Sequence, residues 1–420
     1  MSEKKASLRF WKWTLLVFLA ARSSDVVQAV LSLWVVPSCV SAEDLGAVLP
    51  MLETAKVLAL PLAILVIPFS RWLAICTARG ERGKVKSLLR LMLPGSVAAV
   101  ALMGLAAWLF LPGIARFSRV SEEGFSSVLV AAGALTALSP VFNRALQGLR
   151  KFGTVAVAGV AGAGVRLAVS LALVPVRAIG GYMAGLSVEA LVQISLSWFG
   201  MRREFSFRGE AVPFWRGEGR EMWRYTVPVA VTTVIWCLIS DFQAIAVRCN
   251  LTDAESAAYF IVTRFGDIGQ WVGMSLLFVA FPVIACEQAR GRDHLKVLSV
   301  TVYGTLAAGT AVGLAFLLVG PSLLESVPVW RDYRGYSGYI ALYIVRFAMG
   351  AAVGAFMSCE QAAGNFRYLA YLVPCVAVES AGLLMLHRLD HVLWWMTVTV
   401  AVQTVIVVAI LLRRNRAAQA

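Results

Sequence analysis

Four stretches of this 420-residue chain carry no charged residue over a length that would cross a membrane: Leu91–Ala115, Gly124–Asn143, Val297–Leu324 and Val392–Leu412. A helix of about 20 apolar residues spans the hydrocarbon core of a bilayer. The whole chain is 59% hydrophobic and only 15% charged, whereas about 25% of the residues in a soluble domain are charged. The sequence therefore predicts an all-α polytopic membrane protein and excludes a soluble or disordered chain.

Twelve membrane-spanning helices are predicted, at roughly 13–37, 46–74, 89–113, 124–146, 153–176, 180–201, 224–248, 256–286, 297–320, 337–358, 367–386 and 391–412. Their orientation follows from Lys and Arg, which are enriched in the cytoplasmic loops of membrane proteins. With the amino terminus inside, inner segments hold 26 of the 38 Lys and Arg residues and outer segments hold 7. Both termini are therefore expected in the cytoplasm, and topology explains the net charge of +14 without nucleic acid as a partner.

The two halves of the chain resemble each other weakly, as two copies of a six-helix unit would. Asp25 in helix 1 corresponds to Asp241 in helix 7 at a shift of 216 residues, and Glu53 corresponds to Asp267 at a shift of 214. Chance recurrence is the alternative. A parallel repeat predicts two six-helix bundles around a central cavity, an architecture found in transporters. The expected division is a first bundle at 1–201, a cytoplasmic linker at 202–223 and a second bundle at 224–420.

Eleven ionisable residues fall inside the predicted spans, where each charge costs at least about 2.5–3.5 kcal/mol at the bilayer centre. Six of them form pairs three residues apart, which places a cation and an anion on one helix face: Arg22/Asp25, Glu53/Lys56 and Arg264/Asp267. Mutual neutralisation for insertion is one interpretation of these pairs. The other is that Arg22, Lys56 and Arg264 bind an anionic substrate in a hydrated cavity while the carboxylates position them. Arg suits phosphate because its planar guanidinium donates two parallel hydrogen bonds.

The five remaining charges have no such neighbour along their own helices. Arg166, Glu189, Arg346 and Glu379 are expected either to pair across helix interfaces or to serve the cavity. Asp241 has no cation within one turn of its helix, and we predict that it couples transport to a proton or ion. A hydrogen-bonding role between helices is the alternative for Asp241.

Motifs for nucleotide, metal or covalent chemistry are missing from the sequence. It has no GxxxxGK[ST] phosphate loop, no HExxH, no GxSxG and no paired CxxC motif. We therefore expect a protein that is not an enzyme, has no catalytic residues and uses no cofactor or metal.

Several short segments together resemble the oligosaccharide flippases of the multidrug/oligosaccharidyl-lipid/polysaccharide exporter superfamily, the O-antigen type. They are Ser41–Gly46 (SAEDLG), Arg144–Phe152 (RALQGLRKF), Tyr225–Pro228 (YTVP) with Asp241, Glu255–Tyr259 (ESAAY) with Arg264, and Phe281-Pro282. The pattern covers most of the chain, although each segment is degenerate.

The resemblance implies a flippase of the bacterial inner membrane that moves a polyprenyl-pyrophosphate-linked oligosaccharide outward by alternating access, for surface polysaccharide synthesis. Its partners would be the lipid-linked glycan, membrane lipids and the polysaccharide polymerase machinery. The related lipid II flippases have cavity-facing cations on helices 1, 2 and 8, the helices that hold Arg22, Lys56 and Arg264 here. Those flippases also have two extra C-terminal helices, for which this chain has no room after Arg414, so a polysaccharide-type substrate is expected.

Two other transporter classes remain as alternatives. A drug/cation antiporter of the same fold would be expected to have an anionic cavity without Arg22 and Arg264. A sugar or drug transporter of the major facilitator type would be expected to have an Asp-Arg-x-Gly-Arg loop after helix 2, which Gly80–Gly83 resembles only vaguely.

Overall fold

The computed structural model describes residues 22–110, 112–113, 127–206, 210–213, 219–289, 295–362 and 364–419. Within these residues all regular secondary structure is helical. The helices number twelve when Phe152–Phe205, which reverses at Ala178, is counted as two and every other interrupted helix as one. This confirms the expectation of an all-α polytopic membrane protein. In the described part of the chain, seven stretches are long and apolar enough to cross a membrane by themselves: Leu60–Ala78, Arg82–Leu109, Phe152–Phe205, Gly219–Asn250, Leu295–Ser326, Pro328–Gln361 and Leu389–Arg416.

Of the first six helices, the second, third, fifth and sixth are longer than the sequence predicted. The six are α1 at 22–39, with a π-helical turn at Leu31–Val35; α2 at Ala42–Leu58 and Leu60–Ala78; α3 at Arg82–Leu109; α4 at Ser127–Gly148; and α5 and α6, which share Phe152–Phe205. The start of predicted helix 1, at 13–21, lies outside the described residues. Ala178 separates α5 from α6 with φ 46° and ψ −121°, so the chain reverses with no intervening loop. A non-glycine residue at positive φ is strained.

Five of the last six helices are also longer than the sequence predicted, and the helix at Leu369–Met385 is shorter than the predicted 367–386. The six are α7 at Gly219–Ser240 and Phe242–Asn250, α8 at Asp253–Ala289, α9 at Leu295–Ser326, α10 at Ser337–Ala362, α11 at Leu369–Met385 and α12 at Leu389–Gln419. Asp241 marks the break within α7. A 3₁₀ helix at Pro328–Tyr336 leads into α10, and the sequence did not predict it.

Backbone contacts divide the chain into two compact units. The first unit contains residues 1–40 and 47–245, and the second contains 41–46 and 246–420. Helix α7 thus groups with the first unit, whereas the repeat placed the boundary before it. Units defined by backbone contacts need not coincide with the two copies of a sequence repeat. The predicted division into two bundles and the linker at 202–223 therefore remain predictions. Of that linker, residues 210–213 lie against the start of α3, where the Val212 N–H donates to the Gly83 carbonyl at 3.3 Å.

The core of the first unit forms where α2, α3 and α4 meet. Leu73 of α2, Leu89 of α3 and Leu146 of α4 are fully buried there. Gly148 ends α4 against α2, because a Cβ at that position would lie 3.0 Å from both the Leu73 Cβ and the Ser70 carbonyl oxygen. Buried aliphatic side chains therefore hold the Leu60–Ala78 part of α2 in place.

The second unit is built on close approach of α8, α9 and α10. A Cβ on Gly269 of α8 would lie 1.9 Å from the Ile344 carbonyl oxygen of α10. A Cβ on Gly309 of α9 would lie 2.0 Å from the Ala348 Cβ. Small residues at helix crossings let backbones approach, which is how membrane helices gain packing energy in the absence of a hydrophobic driving force.

The starts of α2 and α8 explain two of the segments that carry the family resemblance. Ser41 accepts a hydrogen bond from the Asp44 N–H at 3.1 Å, and Thr252 accepts one from the Glu255 N–H at 3.3 Å. The Glu255 carboxylate also accepts from the Thr252 N–H at 3.1 Å, which completes a capping box. Gly46 lies against α8, because a Cβ there would be 2.8 Å from the Asp253 carbonyl oxygen. The Phe281-Pro282 segment lies where the side chains of α8 are outside the described set.

Candidate functional site

Lys56 of α2 lies between two carboxylates in the first unit. Its Nζ is 2.7 Å from Glu53 Oε2, one turn earlier on α2, and 3.5 Å from Asp241 Oδ1 at the break in α7. The side chains of Glu53 and Asp241 are 8% and 17% exposed, whereas that of Lys56 is 59% exposed. The cluster therefore contains one accessible ammonium, that of Lys56, in contact with two mostly buried carboxylates.

The position of Lys56 along α2 indicates that its ammonium is hydrated rather than in contact with lipid. Lys56 lies 14 residues after the start of α2 at Ala42, which at 1.5 Å per residue is about 21 Å along the helix. A hydrocarbon core is about 30 Å thick. An ammonium exposed to lipid near its centre would cost at least about 2.5–3.5 kcal/mol. The head of Lys56 is therefore expected to face water rather than lipid.

The correction to the sequence analysis concerns Asp241. Its own helix offers no cation, as predicted, but α2 supplies one across the helix interface at 3.5 Å. Sequence spacing could not find this partner, because Lys56 is 185 positions away and only helix packing brings the two together. The coupling role predicted for Asp241 stays a prediction.

The other two local pairs are also in contact. Arg22 Nη1 lies 2.9 Å from Asp25 Oδ2 on α1, in the first unit. In the second unit Arg264 Nη1 donates to Asp267 Oδ2 at 2.9 Å on α8, and the Arg264 guanidinium lies 5.5 Å from the Phe260 ring centre. These four side chains are between 12% and 32% exposed, so both pairs are partly accessible.

Arg166 and Glu189 form a buried ion pair inside the first unit. Arg166 Nη1 donates to Glu189 Oε2 at 3.2 Å, which joins α5 to α6. Arg166 also donates to Gln28 of α1 and to the Tyr182 hydroxyl, and Ser24 of α1 donates to Glu189 Oε1 at 3.1 Å. The polar network therefore connects three helices, and its two charges are paired with each other. We assign this pair a structural role.

Arg346 and Glu379 form the corresponding buried pair of the second unit. Arg346 Nη2 lies 3.9 Å from Glu379 Oε1, and the Gln403 amide donates to Glu379 Oε2 at 3.0 Å. The Arg346 guanidinium also lies 5.1 Å from the Tyr343 ring centre. Sequence reasoning missed the neutral partners of both networks. Isolated Gln residues in otherwise apolar helices, such as Gln28 and Gln403, were the signal that could have found them.

The eleven intramembrane charges thus fall into two groups. Four are nearly buried in pairs between helices, and Glu53 is buried beside Lys56. The other six are partly accessible: Arg22, Asp25, Lys56, Asp241, Arg264 and Asp267. Within the first unit the structure brings Glu53, Lys56 and Asp241 together, while Arg22 and Asp25 form a separate pair. The cations that the sequence predicted for substrate binding all belong to the accessible group.

Comparison with solved structures identifies the fold. An inward-facing multidrug-resistance transporter of the MATE family, within the MOP superfamily, matches with a TM-score of 0.69 and 14% identity, over 96% of this chain and 94% of that one. The chain has the MATE-transporter fold. A MATE protein in its straight conformation matches with a TM-score of 0.66 and 14% identity, over 97% of this chain and 95% of that one. The Vibrio cholerae MATE transporter VcmN, as an aspartate-to-asparagine mutant, matches with a TM-score of 0.58 and 13% identity, over 97% and 98%.

No protein-family model and no curated protein sequence matches this chain. At 13–14% identity the structural likeness establishes the MATE fold and not a substrate. It does remove the major facilitator alternative, because that class has a different fold. The superfamily predicted from the short sequence segments agrees with the fold, since MATE transporters are members of it.

Proposed function

We propose that this protein is a flippase that translocates a polyprenyl-pyrophosphate-linked oligosaccharide across the bacterial inner membrane by alternating access, for surface polysaccharide synthesis. The observation that carries the proposal is the set of accessible cations Arg22, Lys56 and Arg264 within membrane helices. A drug/cation antiporter would be expected to have an anionic cavity without Arg22 and Arg264. A pyrophosphate group requires positive charge in its path, and Arg and Lys supply it.

Each cation has a defined role in this proposal. Arg22, Lys56 and Arg264 bind the pyrophosphate group, and Asp25, Glu53 and Asp267 hold the cations in position from one turn away. Positioning matters because Lys and Arg side chains have several rotatable bonds and lose conformational entropy when they bind a ligand. A carboxylate three residues away already restricts that freedom.

Arg264 offers the sharpest mutational test. Arg264→Ala should abolish nearly all flipping, and Arg264→Lys should lose a substantial part, because an ammonium cannot donate bidentately to phosphate. The measurement is complementation of a deletion strain, in which lipid-linked sugars accumulate at the inner leaflet. Arg334→Ala, at an exposed pair in the Pro328–Tyr336 segment, is the control and should complement fully. Wild-type complementation by Arg264→Ala at normal expression would refute a substrate role.

A drug/cation antiporter of the same fold is the second candidate. One observation favours it: Lys56 faces two carboxylates, so the cluster has an excess negative charge when Glu53 and Asp241 are ionised. Proteoliposomes discriminate between the two functions when one preparation is tested on both substrates. Flipping of a synthetic lipid-linked oligosaccharide without transport of a cationic dye supports the flippase, and the reverse result supports the antiporter.

Membrane placement follows from the same proposal. Both termini would lie in the cytoplasm, since inner segments hold most of the Lys and Arg residues. The flippase would also act beside the polysaccharide polymerase machinery that consumes its product. Reporter fusions after Ala420 should be active only for a cytoplasmic reporter, and activity of a periplasmic reporter there would invert the topology.

A further inference from the structure

The first unit contains a polar cavity of about 360 Å³ between α4 and α6. Its polar lining includes Ser139, Asn143, Arg144, Gln147, Glu189 and Gln193. Ligand pockets are typically about 300–1,000 Å³ in volume and contain a few fixed polar groups. This cavity lies apart from the Lys56 cluster, because none of its lining residues belongs to α2 or α7.

The amides of the cavity are held in place by one another. Gln193 Oε1 accepts from the Ser139 hydroxyl at 2.6 Å and from Asn143 Nδ2 at 3.0 Å. The Ser197 hydroxyl donates to Asn143 Oδ1 at 3.0 Å, and Gln193 Nε2 donates to Glu189 at 3.2 Å. These bonds fix the cavity wall and use most of the hydrogen-bonding capacity of the amides.

The charge of the cavity is set by Arg144. Glu189 is neutralised by Arg166 at 3.2 Å, so it contributes no net charge. Arg144 is exposed, and no carboxylate pairs with it among the residues that the structure describes; its Nη1 donates to Gln147 Oε1 at 3.0 Å. A guanidinium has five N–H donors and no acceptor. Several donors of Arg144 therefore remain for a ligand that has acceptor oxygens and negative charge.

The position of Arg144 along α4 further restricts the chemical class of the ligand. Arg144 lies four residues before α4 ends at Gly148, about 6 Å along the helix axis. This is the predicted inner end, at the depth of lipid phosphates rather than of the hydrocarbon centre. A guanidinium matches phosphate geometry bidentately.

We infer that Arg144, with Gln147 beside it, forms a binding site for a phosphate-type anion at the inner-leaflet end of the α4–α6 cavity. Two sources share this chemistry: the pyrophosphate of the transported lipid and the phosphate of a membrane phospholipid. The assignment of the first source rests on the proposed function, whereas the anion site itself does not. If the ligand is the pyrophosphate of the transported lipid, Arg144 is the initial contact of the first unit with a substrate in the inner leaflet.

The test is titration of the purified full-length protein, in neutral detergent without phosphate, with sodium pyrophosphate by calorimetry. Wild type should bind saturably, and Arg144→Gln should weaken binding by about 10- to 100-fold, the range for loss of hydrogen bonds to a charged group. Arg144→Lys should be intermediate. Arg150→Gln is the matched control, because Arg150 is exposed just past the end of α4 and does not line the cavity. Absence of saturable binding, or equal affinity in wild type and Arg144→Gln, overturns the site.

Folding of the variants is checked by thermal unfolding without pyrophosphate, and if Arg144→Gln is destabilised, the comparison is made with Arg144→Lys. The two sources are separated in nanodiscs of phosphatidylcholine with or without phosphatidylglycerol. Weaker pyrophosphate binding with phosphatidylglycerol, in wild type only, assigns the site to phospholipid headgroups; unchanged affinity assigns it to the phosphorylated substrate. If the wild-type protein binds pyrophosphate but does not complement the deletion strain, the proposed function is overturned and the anion site is left intact.

Discussion

Removing Arg166 from its buried pair with Glu189 should destabilise the protein far more than removing an arginine from an exposed ion pair. Arg166 and Glu189 are 3.2 Å apart with side chains 5% and 10% exposed, whereas Arg334 and Glu325 are 3.1 Å apart with side chains 56% and 55% exposed. Removal of one partner from a buried pair typically costs about 3–5 kcal/mol, because the other charge is left uncompensated. An exposed pair contributes about 0.2–1 kcal/mol. The two pairs therefore differ in burial and hardly in distance.

Arg166→Leu should lower the thermal midpoint of the first unit by roughly 6–20 °C, from about 2–4 °C per kcal/mol for a unit of this size. Arg334→Leu should lower the midpoint by less than about 4 °C. The double variant Arg166→Leu with Glu189→Leu should recover part of the loss, because no buried charge remains. It should not recover all of it, since Gln28 and Ser24 lose their partners.

The assay is thermal unfolding of detergent-purified protein, followed by size-exclusion of the surviving folded fraction at each temperature. Expression level and monodispersity of each variant are the controls for insertion. Equal midpoints for Arg166→Leu and Arg334→Leu would refute the argument, because burial would then have no consequence. A double variant less stable than Arg166→Leu would also refute it, since the uncompensated carboxylate would not be the cause of the loss.

Three further outcomes are expected. Ala178→Gly should stabilise the protein by about 1–3 kcal/mol, because glycine adopts its positive φ without strain; an unchanged midpoint would contradict this. Gly269→Ala should prevent folding, since its Cβ would lie 1.9 Å from the Ile344 carbonyl oxygen, whereas Gly350→Ala, with open space around it, should express normally; equal expression of the two would contradict the packing argument. Reconstituted transport should depend on pH or sodium and lose that dependence in Asp241→Asn; an Asn variant with the full response would make Asp241 structural.

Features that depend on neighbouring residues were predictable from the sequence. The number of helices follows from apolar length, and the pairs Arg22/Asp25 and Arg264/Asp267 follow from helical spacing. The helix bounds were predicted too short at several ends, since amphipathic turns continue past the membrane. Helix α2, for instance, runs from Ala42 to Ala78, whereas apolar character alone indicated 46–74.

Features that depend on helix packing were not predictable. Lys56 and Asp241 belong to helices far apart in sequence, so the second carboxylate of the cluster could not be found by spacing. Arg166 and Glu189 are 23 positions apart on two helices joined without a loop. The reversal at Ala178 is the exception, because it falls in the gap predicted between 153–176 and 180–201, where Pro175 and Gly180-Gly181 flank it. Only the positive φ of a non-glycine residue there could not be predicted.

The Lys56 cluster also has a consequence for energy coupling. With Glu53 and Asp241 ionised, Lys56 leaves the cluster with one net negative charge, and a bound phosphate-type anion makes that charge more negative still. Lys56 alone cannot neutralise the anion and both carboxylates together, so anion binding at Lys56 would favour uptake of a proton or another cation at the carboxylates. Such coupling is reciprocal, which means that the cation in turn strengthens anion binding by the same factor. One elementary charge moved across 100 mV is worth about 2.3 kcal/mol, or nearly fiftyfold in an equilibrium. A carboxylate beside the proposed substrate-binding cation would therefore be sufficient, without nucleotide chemistry, to bias a transporter between two states.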